Sequence, residues 1–133
     1  MTARSAVDPA RSALMRSVKR ERTAPEEQVA RILREMGIRT RRNVKSLPGS
    51  PDFANKSRRF AIFVNGCFWH GHVGCRFATT PKSNRAFWIP KLEANRTRDT
   101  RKVRELREQG FKVITLWECQ SVAQKMARLR ILE

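Results

Sequence analysis

The fold is decided by residues 60–75, which read Phe-Ala-Ile-Phe-Val-Asn-Gly-Cys-Phe-Trp-His-Gly-His-Val-Gly-Cys. The first five residues form an apolar run with the length of a buried β-strand. The remainder contains both histidines of the chain and two of its three cysteines, and its glycines allow the backbone to turn tightly. This stretch therefore predicts a central strand that leads directly into a metal-binding loop.

The cysteines and one histidine form a candidate zinc site, which comprises Cys67, His72, Cys75 and Cys119. Cys119 follows a strand-like run at residues 111–117, so folding can return it to the loop. Three cysteines and one histidine are a standard ligand set for structural Zn²⁺. The spacing alone does not decide between His70 and His72, which lie on the same small loop. The alternative interpretation is three ordinary buried thiols, which the compact, glycine-bounded spacing disfavours.

Composition and charge indicate a folded protein that binds a polyanion. The chain has 133 residues, enough for one domain with one core, and 40% of them are hydrophobic. We expect a flexible N-terminal arm over residues 1–11 and a single domain over residues 12–133. Lys and Arg number 29 against 12 Asp and Glu, and the formal net charge of +17 makes nucleic acid the first candidate partner.

The same features argue against secretion and membrane binding. The basic residues are spread along the chain instead of forming one amphipathic membrane-binding stretch. An odd number of cysteines argues against a disulfide framework, and the sequence shows neither a signal peptide nor an apolar run of membrane length. We therefore expect a cytoplasmic protein that does not bind membranes.

Hydrophobic periodicity and turn residues predict alternating helices and strands. Thr23 and Glu26 form a capping-box pattern at the start of a helix that ends at Gly37. The patterns that follow predict a strand at residues 38–44, a turn at 47–51, a hairpin at 55–58 and the apolar strand at 60–64. They then predict a long charged helix at 90–109, a strand at 111–117 and a final helix that ends near residue 132. The predicted fold class is α/β.

Asp52 is a candidate ligand for a hard cation. It lies between Pro51 and Phe53, at the start of a short extended segment. The simplest interpretation is an aspartate that closes a turn, as aspartate after proline often does. The functional interpretation is a carboxylate that binds Mg²⁺ together with a backbone carbonyl, phosphate oxygens and water. Such an ion would polarise a scissile phosphate and help to generate hydroxide.

Several motifs, in order along the chain, resemble those of one enzyme family. They are Thr23-Ala-Pro-Glu26, Leu47-Pro-Gly-Ser-Pro-Asp-Phe53, Gly66-Cys-Phe-Trp-His70, Pro81-Lys-Ser-Asn84, Phe87-Trp88, Asn95-x3-Asp99 and Trp117-Glu-Cys119. Together they resemble the very-short-patch-repair (Vsr) mismatch endonucleases over residues 12–120. The resemblance implies a restriction-endonuclease-like fold, in which helices flank a central mixed sheet, with a structural zinc site.

The resemblance also implies roles for individual residues. Asp52 is implied to hold Mg²⁺ together with the backbone carbonyl of Val64, and His70 is implied to act as general acid or base. Glu26 is implied to lie near the site through water, although as a sequence feature it is first a capping residue. The implied zinc ligands correspond to Cys67, His72, Cys75 and Cys119.

The chain departs from the family pattern at Asn65, where the family commonly has a second active-site histidine. An amide cannot exchange protons as an imidazole does, but it can hydrogen-bond a water or a phosphate oxygen. The departure therefore bears on rate, pH dependence and substrate choice more than on the class of reaction.

The residues expected to contact DNA are aromatic or basic. Aromatic residues at these positions are usually core, but the resemblance implies that Phe68 and Trp69 wedge into the base stack beside a mismatch, with Trp88 assisting. The basic candidates for phosphate contacts are Lys82, Arg85, Lys91, Arg16 and Lys19. Each of these could equally be a solvated surface charge.

The implied activity is hydrolysis of one phosphodiester of double-stranded DNA, 5′ to the thymine of a T:G mispair left by deamination of 5-methylcytosine. One nick requires one active site, so we expect a monomer. The implied partners are double-stranded DNA, downstream mismatch-repair proteins and a cognate cytosine methyltransferase. Two alternatives remain open: a related restriction or defence nuclease that needs no mismatch, and a zinc-stabilised DNA-binding module without catalysis, which Asn65 favours.

Overall fold

The computed structural model describes residues 23–67, 70, 72, 75 and 83–133, and the arm expected at residues 1–11 lies outside them. In chain order the elements are α1 (Ala24–Glu35), β1 (Arg41–Arg42), β2 (Phe53–Asn55), β3 (Phe60–Asn65), α2 (Arg85–Glu108), β4 (Lys112–Trp117) and α3 (Val122–Leu129), followed by a 3₁₀ turn at Arg130–Leu132. None of the helices in this part of the chain has both the length and the apolar character needed to cross a membrane.

The described strands form one mixed sheet with the order β1-β2-β3-β4. β1 and β3 both pair antiparallel with β2, whereas β4 pairs parallel with β3. The predicted hairpin joins β2 to β3, and the Asn55 side-chain oxygen accepts a hydrogen bond from Arg58 N at 2.9 Å within its turn. The sheet with its flanking helices confirms the predicted α/β class.

β3 lies between β2 and β4, and both of its faces are covered. Phe60 and Ile62 pack into one core with residues of α1 and α3, whereas Ala61 and Phe63 pack into a second core with Leu106 of α2. This alternation explains why the strand reads as a continuous apolar run rather than as an alternating one. Full burial of an aromatic or branched side chain contributes about 1.5–3 kcal/mol.

The start of α1 follows the predicted capping pattern in part. Glu26 N donates to the Thr23 hydroxyl at 3.4 Å, and Pro25 lies in the first turn. The Glu26 side chain is turned into the molecule, where it is 3% exposed and lies 3.7 Å from Arg42 Nη2. Thr23 therefore caps the helix, and the Glu26 carboxylate belongs to the interior.

Two predicted boundaries are wrong. α2 begins at Arg85 rather than at residue 90, so Pro90 lies inside the helix. Proline removes one backbone hydrogen bond there, and the burial of Trp88 holds the first turns against the rest of the molecule. The strand predicted at residues 38–44 is reduced to Arg41–Arg42, because Asn43 adopts a left-handed backbone with φ of 50°.

Candidate active site and metal centre

The carboxyl ends of β3 and β4 lie side by side and bring the reactive side chains together. Asn65 pairs with Trp117 in the parallel register, and the Asn65 carbonyl accepts a hydrogen bond from Glu118 N at 3.1 Å. The chain enters the cysteine–histidine loop directly after β3 and reaches Cys119 directly after β4. Ligand sites of α/β proteins commonly lie at such strand ends.

Asp52 is held at the same edge by the backbone of β3. Its Oδ2 atom accepts a hydrogen bond from Val64 N at 2.7 Å. Its own carbonyl accepts a hydrogen bond from Asn43 N at 3.0 Å, which fixes the turn before β2. The backbone of Asp52 thus closes a turn, as the simplest interpretation had it, while its carboxylate lies against Val64, the residue predicted to share the Mg²⁺ site.

Asp52 lies in a buried acidic environment. Burial raises the pKa of the Asp52 carboxyl above its ordinary value, and the Val64 N–H, Lys102 and a hydrogen bond with Glu26 offset this only in part. Glu26 is itself buried, with Arg42 at 3.7 Å. Two neighbouring buried acids form a site that a bound cation would stabilise.

The side chain of His70 is oriented by an aspartate on α2. His70 Nδ1 lies 2.5 Å from Asp99 Oδ2, and the two side chains are 27% and 21% exposed. An ionised carboxylate only accepts hydrogen bonds, so Nδ1 donates and Nε2 is left for a reacting group. His70 N also donates to Gly66 O at 3.2 Å, which folds the loop back towards β3.

Asp99 and Lys102 form a further ion pair beside His70. Lys102 Nζ lies 3.0 Å from Asp99 Oδ1, one helical turn further along α2. Burial raises the pKa of Asp99, but the hydrogen bond with His70 and the charge of Lys102 outweigh it, so the pKa lies below its ordinary value. Neither Asp99 nor Lys102 was predicted from the sequence to have a role in the site. The motif Asn95-x3-Asp99 was an available signal for the aspartate, whereas nothing in the sequence distinguished Lys102 from its basic neighbours.

The second cluster brings together the four predicted zinc ligands. The ligand atoms of Cys67, His72, Cys75 and Cys119 all lie within 4.8 Å of one another. Cys119 Sγ lies 3.5 Å from His72 Nδ1, and the His72 ring stacks on Trp117 with centroids 3.9 Å apart. Burial raises the pKa of the Cys67 thiol to about 12, so a thiolate there requires a nearby cation. The cluster fits a metal ion that prefers sulfur and nitrogen.

The two histidines are therefore separated by their contacts. His72 lies among the cysteines, whereas His70 is hydrogen-bonded to Asp99 and contacts Trp117 edge-on, with centroids 6.4 Å apart. Trp117 thus lies between the two clusters and touches a histidine of each. This contact pattern distinguishes the histidines, which their spacing in the sequence could not do.

The remaining predicted residues differ in exposure. Asn65 is 5% exposed at the end of β3, and Trp88 is 6% exposed, packed edge to face on Phe87 with centroids 5.0 Å apart. Arg85 and Lys91 are exposed near the start of α2, and Lys91 Nζ lies 5.6 Å above the Phe87 ring. The other DNA-contact candidates lie outside the described residues, namely Phe68, Trp69, Lys82, Arg16 and Lys19.

A family model described as DNA mismatch endonuclease Vsr matches residues 6–76. The chain belongs to the Vsr family. Curated relatives agree with this. The type II nicking enzyme V.XorIIP of Xanthomonas oryzae pv. oryzae is 48% identical over 107 residues, which cover 80% of the chain and 78% of that relative. The DNA mismatch endonuclease Vsr of Escherichia coli is 39% identical over 109 residues, covering 82% and 69%.

A third relative extends the match along nearly the whole chain. The type II nicking enzyme V.NmeAIP of Neisseria meningitidis is 38% identical over 121 residues, covering 91% of the chain and 86% of that relative. The family assignment drawn from the motifs is therefore confirmed, and the protein is a DNA endonuclease.

Proposed function

We propose that this Vsr endonuclease nicks one strand of double-stranded DNA on the 5′ side of the thymine of a T:G mispair and so starts very short patch repair. The main support for hydrolysis of DNA is that Asp52 and the hydrogen-bonded pair of His70 and Asp99 lie at the same end of the sheet. Phosphodiester hydrolysis needs a metal-binding carboxylate and an oriented acid–base group. The name of the Escherichia coli relative refers to mismatched DNA, and the names of other relatives refer to nicking.

Mg²⁺ would be held by the Asp52 carboxylate and the backbone carbonyl of Val64. The N–H and C=O of a strand residue point to the same side, and the Val64 N–H points at Asp52, so the carbonyl faces that side as well. Glu26 adds a buried carboxylate that can join through water. When bound, such an ion places positive charge beside the scissile phosphate and makes water a better nucleophile at neutral pH.

His70 would move the proton through Nε2, because Nδ1 is committed to Asp99. As general base, the neutral imidazole would take a proton from the attacking water; as general acid, the charged imidazole would instead give a proton to the leaving oxygen. General acid–base catalysis of this kind contributes about 10²–10⁴-fold in rate. Asn65 would hydrogen-bond a water or a phosphate oxygen without exchanging a proton.

Zn²⁺ would be held by the cysteine–histidine cluster and would stay outside the reaction. Four protein ligands leave no open position for water, so the role of the ion is to hold the loop that carries His70, Phe68 and Trp69. Structural zinc contributes about 10–16 kcal/mol in small domains, which is comparable with the stability of a whole domain. We place this site in a single restriction-endonuclease-like domain over residues 12–133.

DNA would be gripped through phosphates and opened by aromatic side chains. Phe68 and Trp69 would enter the base stack at the mispair, where unstacking costs least, with Trp88 assisting. The phosphate contacts would come from Lys82, Arg85, Lys91, Arg16 and Lys19. If about eight phosphates are neutralised, the slope of log affinity against log salt should be near −7. The protein would act as a monomer. Mismatch-repair proteins would act on its nicked product, and a cognate cytosine methyltransferase would be a further partner.

A panel of end-labelled duplexes tests the proposal. The panel contains one T:G mispair in varied contexts, with matched T:A and C:G duplexes as controls, all with Mg²⁺. We expect one nick, in the strand that carries the mispaired thymine and on its 5′ side. Equal cutting of matched DNA would overturn the proposal and support a restriction or defence nuclease, a candidate favoured by relatives named as type II nicking enzymes. Tight binding without any cutting would support a DNA-binding module disabled at Asn65.

A further inference from the structure

Lys102 is turned into the candidate active site, unlike the basic side chains around it on α2. The Lys102 side chain is 15% exposed, whereas the neighbouring arginines along the helix are exposed; these are Arg96, Arg98, Arg101 and Arg104. A lysine that served only to attract DNA would extend into solvent like these arginines. The position of Lys102 therefore requires a separate explanation.

Two groups fix the ammonium of Lys102. Nζ lies 3.0 Å from Asp99 Oδ1 and 4.2 Å from the centre of the Phe63 ring. The ion pair supplies direction, and the aromatic face supplies attraction on a second side. Both partners are themselves fixed, since Phe63 is buried in the sheet and Asp99 is hydrogen-bonded to His70.

The hydrocarbon stem of Lys102 is seated against Gly49. This glycine has a left-handed backbone with φ of +74°, and a Cβ built there would lie 2.4 Å from Lys102 Cδ. Gly49 lies in the turn that leads into β2 and delivers Asp52. Lys102 thus contacts the turn before Asp52 and also the aspartate that orients His70, which connects the two halves of the site.

We propose that Lys102 is a positioning residue of the nuclease site, which holds Asp99 in the orientation that presents His70 to the scissile phosphate. The proposal rests on the role proposed for His70. It follows from the use of both carboxylate oxygens, because Oδ2 receives the imidazole and Oδ1 receives the ammonium. With one oxygen released, the carboxylate can rotate about its terminal bond, and the imidazole loses its fixed direction.

A double-mutant cycle on nicking tests this coupling. We expect Lys102→Met, which keeps the stem and removes the charge, to slow single-turnover nicking by about 10–100-fold, with DNA affinity and zinc content unchanged. At saturating Mg²⁺, which keeps Asp52 ionised in every variant, the double variant Lys102→Met with Asp99→Asn should be no slower than Asp99→Asn alone, because the lysine then acts through Asp99. A wild-type rate in Lys102→Met, a multiplicative loss in the double variant, or a loss confined to DNA affinity would overturn the proposal.

Nuclear magnetic resonance of the imidazole nitrogens tests the same coupling without any cleavage. The chain has two histidines, so the His70 and His72 signals can be assigned by one substitution, and His72 serves as the internal control. In wild type at fixed pH we expect a protected, downfield Nδ1 proton on His70. It should be lost or shifted upfield in Lys102→Met while the His72 signals stay in place; an unchanged His70 signal would overturn the proposal.

Two glycine variants form a matched pair that tests the contact between Gly49 and the Lys102 side chain. Gly49→Ala and Gly37→Ala both place a side chain on a left-handed backbone, with φ of +74° and +72°, but the Cβ at Gly37 meets nothing within 4 Å. We expect the His70 signal to move in Gly49→Ala and not in Gly37→Ala; equal spectra would overturn the proposal. A wild type that cuts no duplex would refute the proposed function, whereas the spectra would still decide the role of Lys102.

Discussion

The two clusters at the ends of β3 and β4 share one sheet edge but are assembled differently. The cysteine–histidine cluster takes three of its four members from the loop that follows β3, and its ligand atoms converge within 4.8 Å. The acid–imidazole cluster takes Asp52 from the turn before β2, His70 from the loop and Asp99 from α2. The first depends mainly on local sequence, whereas the second depends on how three distant segments pack.

The two clusters also differ in the kind of metal ion that their side chains suit. Thiols and an imidazole suit a soft or borderline metal in a closed shell, and carboxylates with a backbone carbonyl suit a hard cation that keeps some water. A closed site can hold a loop, and a partly open site can act on a substrate. We therefore propose that the cysteine–histidine cluster has a structural role and that the acid–imidazole cluster carries out the reaction.

The largest effect is expected from loss of a predicted zinc ligand. Cys75→Ala should lose bound zinc, disorder the loop and abolish nicking, because structural zinc contributes about 10–16 kcal/mol to folding in small domains. Zinc content measured by atomic emission, together with circular dichroism, checks this. A Cys75→Ala protein that stays folded and active would remove the basis for a structural role of the cluster.

The next effect is expected at Asp99. Asp99→Asn keeps the shape of the side chain but weakens the hydrogen bond to His70, so nicking should fall by about 10–100-fold. The unfolding free energy should fall by no more than about 1.5–3 kcal/mol, the typical contribution of a hydrogen bond to a charged group. Rates and urea unfolding are measured on the same preparation. Zinc content serves as the control and should not change; a wild-type rate would exclude Asp99 from the site.

A smaller effect on the free energy of unfolding, of opposite sign, is expected at Asp52. Burial raises the pKa of Asp52, so the ionised carboxylate is disfavoured in the fold. Asp52→Asn keeps an oxygen that accepts from Val64 N and removes the charge, so without Mg²⁺ its unfolding free energy should equal or exceed the wild-type value, by no more than about 1 kcal/mol. Urea unfolding with a chelator of Mg²⁺ checks this. A clear loss of stability would mean that the buried charge is satisfied by the protein itself.

The pH dependence of stability separates the two aspartates further. The pKa of Asp99 is lowered, so its contribution is fully present above the ordinary value of 3.8 and is lost as pH falls below it. The pKa of Asp52 is raised, so its unfavourable contribution disappears as pH falls towards 3.8 from above. The unfolding free energy of each variant is compared with that of wild type at equal pH, because this subtraction removes the effect of zinc loss in acid, which all three proteins share. If both differences vanish over the same pH range, the two environments are not distinct.

The sequence predicted those parts of the molecule that depend on neighbouring residues. The capped helix beginning at Thr23, the hairpin and the buried strand follow from local pattern, and the structure confirms each. The four members of the cysteine–histidine cluster were predicted to come together because three of them lie close together in one loop and the fourth follows a recognisable strand. In each case a short stretch of sequence carries the physical reason for the structure.

The sequence could not predict what tertiary packing decides. Asp99 and Lys102 lie on a helix rich in charge, and only the packing of α2 near the strand ends makes them different from their neighbours. The start of α2 at Arg85 depends on the burial of Trp88, which outweighs the local effect of Pro90. The inward direction of Glu26 likewise follows from Arg42 on another element.

The most direct test of the division between the clusters is Mg²⁺-dependent nicking of the T:G duplex by wild type and by Asp52→Asn, with zinc content and DNA affinity measured on the same samples. We expect Asp52→Asn to keep its zinc and its affinity for DNA while nicking falls by a factor of at least about 10³, the scale of a lost catalytic metal ligand. Nicking at the wild-type rate by Asp52→Asn would mean that the reaction is carried out elsewhere, and the proposed division between the two clusters would be wrong.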